Sequence, residues 1–83
     1  MTRPIYQIAR EITLDWQKPF YGALPYLVAM RSLQDLKQQY CEDSAESIIL
    51  YFLSNASTWR GETARRIKAE LKTMLKEHQN GQS

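Results

Sequence analysis

The sequence is short of the residues from which reactive sites are built. Among 83 residues there is one histidine, His78, and one cysteine, Cys41. A single cysteine closes no internal disulfide, and no Cys/His spacing suits zinc. Cys41 stands beside Glu42 and Asp43, whose negative charge opposes thiolate formation, so it reads as a small buried hydrophobe or an inert surface thiol. His78 falls where the last helical pattern should fray, a poor place for a general base or a metal ligand. Three glycines make no phosphate-cradling loop, and no two carboxylates are spaced as an acid–base pair. The expectation is therefore a protein that is not an enzyme, with no catalytic residues, no cofactor and no metal.

Long apolar runs are also missing. The longest, residues 48–53 (IILYFL), is far below the roughly 20 residues that span a bilayer. The first four residues, Met-Thr-Arg-Pro, lack the apolar region of a secretion signal. Without disulfide staples, a small chain suits a reducing cytoplasm, and no membrane partner is expected. Charge of one sign is not in excess either: 11 Lys/Arg against 9 Asp/Glu leave +2, well short of most nucleic-acid binders.

What is present is enough to fold. The chain is 43% apolar with nine aromatic rings, a globular balance for one small domain. Ile5, Ile8, Ala9, Ile12 and Trp16 recur at helical spacing, with Thr2 placed to cap the start and Pro19 to mark the limit. Tyr26, Ala29, Met30, Leu33, Leu36 and Tyr40 predict a second helix opening at Pro25 and running on toward Tyr40. Asp43 and Glu46 have the spacing of a capping box ahead of a third helix over 45–55. Residues 48–53 could form a strand by propensity, but the cap, the helical stripe and the lack of a partner strand favour a helix, the most buried of the set. A last helix runs from about Trp59, capped by Thr58, to about His78. Ala64, Ile67, Leu71, Met74 and Leu75 form its core stripe. The expected architecture is all-α: a bundle of about four helices forming one domain over 1–78, with a disordered tail at 79–83.

Two features are candidates for function. Arg65, Lys68, Lys72 and Lys76 project from one flank of the last helix within an arc of about 80°. Glu62, Arg66, Glu70 and Glu77 occupy the other flank, where i,i+4 pairing of Glu62 and Glu70 with Arg66 is expected. Residues 59–77 carry a balance of +3 and residues 40–58 a balance of −3. The basic stripe reads as a solvated helix face, as a contact for an acidic protein, or as a contact for phosphate. The second candidate is the aromatic connection holding Trp16, Phe20 and Tyr21, which either makes a contact patch or closes one end of the bundle.

Three stretches, 15–27 (DWQKPFYGALPYL), 47–56 (SIILYFLSNA) and 59–72 (WRGETARRIKAELK), resemble a group of short proteins of bacteriophages, prophages and related mobile elements. The resemblance implies a bacterial cytoplasm and a small accessory protein that acts by binding. It carries no catalytic motif. Together these readings predict a helical binding module that engages another protein. A homodimer pairing the oppositely charged segments is a further candidate, and a nucleic-acid-binding or regulatory protein using the last helix is the alternative.

Overall fold

The computed structural model describes residues 3–40 and 42–81, so the expected cap at Thr2 and the thiol of Cys41 lie outside the described residues. The first helix, α1, spans Ile5–Asp15 and buries Ile5, Ile8, Ala9 and Ile12, the stripe read from the sequence. Its N-cap position is Pro4, which has no side chain able to accept a hydrogen bond. The first amides of a helix have no intrahelical partner. Here they find the chain after the second helix: Ile5 N donates to the Gln34 carbonyl at 3.0 Å and Tyr6 N to that of Leu33 at 2.8 Å.

That arrangement corrects the expected second helix. After a 3-10 turn at Tyr21–Ala23, α2 covers only Leu24–Met30, with Pro25 in its first turn. A helix continuing to Tyr40 would have locked the Leu33 and Gln34 carbonyls into its own ladder. Local side chains also compete with helix past this point. Gln38 Oε1 accepts from the Gln34 and Asp35 amides, and Asp35 Oδ1 accepts from Lys37 N at 2.9 Å. Leu33 and Leu36 are still buried, and Tyr40 packs against the core, so the periodic residues reach the interior without a helix beneath them.

A two-stranded antiparallel hairpin follows, β1 (Gln39–Tyr40) and β2 (Asp43–Ser44), with Gln39 opposite Ser44 and Tyr40 opposite Asp43. Among the described residues the protein is thus mainly helical, with four α-helices, but not strictly all-α. The hairpin pairs backbone groups that the turn would leave unsatisfied. It leads into α3, Ala45–Ser54. The cap of α3 is Ser44 rather than Asp43: Ser44 Oγ accepts from Ser47 N at 3.1 Å and donates to Ser47 Oγ. β2 puts Ser44, one residue later than expected, in the extended conformation a cap requires. Glu46 points to α4 instead, where its Oε2 accepts from Gln79 Nε2 at 2.9 Å.

The last helix, α4, spans Glu62–Gly81. It starts later than Trp59, because Gly61 adopts φ 118°, a conformation closed to other residues at low cost. The break frees Trp59 to turn inward. At the other end Gln79, Asn80 and Gly81, expected in the tail, continue the helix.

The core is a single apolar cluster drawn from all four helices, and among the described residues no polar or charged residue is buried. Its heart is aromatic. Trp16 and Trp59 stack at 5.7 Å between centroids, 12° from parallel, and Phe52 meets both edge-on at 6.3 and 6.4 Å. Such contacts add about 0.5–1.5 kcal/mol each beyond burial. Trp59 is fixed further by its indole N–H, which donates to Asp15 Oδ2 at 2.8 Å. Gly22 lets the aromatic connection pass close to the end of α3: a Cβ there would lie 2.6 Å from the Phe20 ring and 2.8 Å from Asn55 Oδ1, so both side chains would have to shift. The radius of gyration, 11.9 Å, matches the roughly 12 Å of a folded chain this long.

Candidate functional site

The structure divides the basic stripe. Arg65, Lys72 and Lys76 are exposed and make no ion pair with a described residue. Lys68 is different. It is half-buried, its Nζ donates to the Trp59 carbonyl at 2.7 Å and lies 5.9 Å from the Trp59 ring centre. Burial first, then the nearby charges of Lys72 and Arg60, hold its pKa below the usual lysine value. Lys68 therefore fastens the Trp59 turn to α4, a structural duty that the sequence spacing could not reveal.

The other flank of α4 is also rearranged. Arg66 pairs with Glu11 of α1 instead of with Glu62 or Glu70. Glu70 pairs with Arg3, which holds it with Nη2 at 2.7 Å and Nε at 3.0 Å while Nη1 reaches Glu11 at 2.8 Å. Hydrogen bonds from Arg66 and then Arg3 keep the Glu11 carboxyl below its ordinary range. The Arg3 guanidinium is raised above its usual value, chiefly by Glu70. This four-residue network joins α1 to α4 and is locally neutral.

The aromatic connection is split in the same way. Trp16 is only 8% exposed and belongs to the core. Phe20 and Tyr21 stay outside, their rings 4.9 Å apart, with Tyr21 79% exposed. The three candidate aromatics do not form one patch.

A different surface emerges from α1 and α2. Tyr6, Arg10, Thr13 and Leu14 fall within an arc of about 100° on α1, turned away from its buried stripe. Leu24 and Val28 share the outer face of α2, and Arg31 continues it. Arg31 Nη2 donates to Thr13 Oγ1 at 3.1 Å, which joins the two faces at that point. Leu14 is 71% exposed, Val28 52% and Tyr6 50%, with Leu24 also exposed. A hollow of about 300 Å³ opens between Tyr6, Arg10, Thr13, Leu14 and Arg31. A second, of about 320 Å³, shares Tyr6, Arg10 and Leu14 and extends it past Gln7. Small-ligand clefts start at roughly this volume but enclose their ligand, whereas this is an open trough along a helix.

Charge in the first hollow has one sign, whereas the second is lined by Arg3 and Glu11 as well as Arg10. Arg10 and Arg31 make no ion pair among the described residues, and no carboxylate lines the first hollow. Glu11, which lines the second hollow, is engaged by Arg3 and Arg66, and Asp15, the last residue of α1, accepts from Trp59. The sequence held a signal for this surface that periodicity alone passes over: Leu14, Leu24 and Val28 are apolar yet lie off the buried stripes of their helices. Arg10 likewise has no acidic residue three or four positions away.

A third hollow, near Leu36, Gln39, Ser44, Glu46 and His78, is polar and crossed by contacts between α3 and α4. His78 Nε2 lies 3.9 Å from Glu46 Oε1. Among the described residues no three His, Cys, Asp or Glu side chains gather as a metal site, and no helix is long and apolar enough to cross a membrane. No family model, curated protein or solved structure matches the chain.

Proposed function

We propose that the chain is a non-enzymatic helical binding module that acts through protein–protein contacts, with the joined outer faces of α1 and α2 as its contact surface. The observation that carries this reading is the exposure of Tyr6, Leu14, Leu24 and Val28 on two adjoining faces. Single exposed apolar residues are ordinary, but several gathered on adjoining helix faces beside a trough mark an interaction site. The resemblance to short phage and mobile-element proteins supports an accessory role in a bacterial cytoplasm. A second reading, nucleic-acid binding through α4, is favoured by the unpaired Arg65, Lys72 and Lys76 beside Arg60.

One experiment separates the two. Tagged wild type, Leu14→Ser/Val28→Ser and Arg65→Gln/Lys72→Gln/Lys76→Gln are each recovered from source cells, with and without nuclease. The proposal expects the first variant to lose a co-purifying protein that the second keeps. Loss confined to the second variant, with nuclease-sensitive material, would establish the α4 reading instead.

A further inference from the structure

We infer that the α1/α2 trough receives an amphipathic helix bearing glutamate or aspartate beside its apolar face, not a second copy of this chain. The inference rests on the surface proposed above and adds the chemistry of its occupant. Between Tyr6 and Leu14 the trough runs eight residues of α1, about 12 Å at 1.5 Å per residue. Two turns of a partner helix cover that length and present anchors at i, i+3 or i+4, and i+7, the usual pattern of a helix laid in a groove. Tyr6 and Leu14 line the trough from positions two turns apart on α1, and Val28 and Leu24 are exposed on α2, the helix that supplies Arg31 at its C-terminal end. Arg10 and Arg31 project into the first hollow without a carboxylate to neutralise them.

Those two arginines select among occupants. A symmetric homodimer places a patch against itself, so a dimer through this trough would bring four uncompensated guanidinium groups together. Like charges facing across an interface are strongly disfavoured. A purely apolar helix would leave both arginines partly desolvated and unpaired. A helix with carboxylates next to its apolar stripe satisfies both, because a guanidinium binds a carboxylate through parallel hydrogen bonds.

The test uses a labelled synthetic helix of about fourteen residues, roughly 21 Å long, with leucines at the anchor positions and glutamates on both flanks. Its sister peptides carry lysine in place of the glutamates, or glutamine in place of the leucines. Fluorescence anisotropy should give a Kd on the order of 10 µM for the glutamate peptide. Arg10→Ala/Arg31→Ala should weaken it about tenfold, with unchanged circular dichroism showing that the variant is folded. Arg10→Glu/Arg31→Glu should transfer the preference to the lysine peptide. Equal binding of the glutamate and lysine peptides overturns the inference, as does indifference to the arginines or no binding at about 1 mM. Tighter binding of duplex DNA with the same arginine dependence would assign the trough to phosphate and overturn it too. If Leu14→Ser/Val28→Ser loses its cellular partner while the peptide preference fails, the surface stands and the acidic occupant falls.

Discussion

Replacing Phe52 with alanine probes the packing on which every other feature depends. Phe52 is fully buried on α3 and meets the stacked Trp16 and Trp59 rings edge-on. Deleting a buried phenylalanine ring costs about 3–5 kcal/mol, from lost transfer energy and the cavity left behind. The two edge contacts account for about 1–3 kcal/mol beyond burial. At about 0.05–0.15 kcal/mol per residue, a chain of this length has about 4–12 kcal/mol in total. The substitution thus removes about a quarter of the stability or more. At about 4–8 °C per kcal/mol, Tm should fall by roughly 12–40 °C. Urea melts followed by circular dichroism and tryptophan fluorescence read both effects. Phe52→Leu keeps most of the volume and should cost about 1–1.5 kcal/mol. A Phe52→Ala protein that melts within a few degrees of wild type would refute the aromatic core; α3 itself is not buried all round as expected, since Leu50 and Tyr51 are exposed.

The remaining predictions concern charge. Glu11 has a folded pKa below its ordinary value of 4.5, so its contribution is present at neutral pH and is lost as pH falls through the folded value. Acid titration of Glu11→Gln should therefore show a shallower stability loss below about pH 4.5, with about 1 kcal/mol less stability at pH 7, since the network is partly exposed; identical acid limbs would count against the α1–α4 network. Changing Arg65, Lys72 and Lys76 to Gln should leave Tm nearly unchanged, because exposed charges contribute within about half a kcal/mol each. Lys68→Met should instead cost about 1 kcal/mol, since the Trp59 carbonyl loses its donor; equal melting of the two variants would deny Lys68 its structural part.

Apolar periodicity carried the helices whose buried stripes are uninterrupted. Ile5 to Ile12, Ile48 to Phe52 and Ala64 to Leu75 all face inward where spacing places them. The same signal overran at α2, because Leu33 and Leu36 can be buried from a turn as well as from a helix. The decisive partners there are the amides of Ile5 and Tyr6, some 28 residues earlier in the chain, and no local pattern encodes such a bond. Ser44 took the cap from Asp43 for a similar reason: the β1–β2 pairing fixes which residue is extended. The candidate site was legible in part. A helical wheel shows that Arg65, Lys72 and Lys76 share an exposed flank, but not that Lys68 is spent on Trp59. Nor does it show that Trp16 leaves Phe20 and Tyr21 for the core. The α1/α2 trough comes from two helices whose outer faces become one surface only through the fold.

The most direct measurement of the central claim is site-specific photo-crosslinking in source cells. A benzophenone side chain is placed singly at Leu14, Val28, Lys72 or Lys76, all exposed positions. The account predicts the same discrete protein adduct from 14 and 28, and none from 72 and 76. Adducts formed only from 72 and 76, with 14 and 28 silent, would contradict it and move the contact surface to α4.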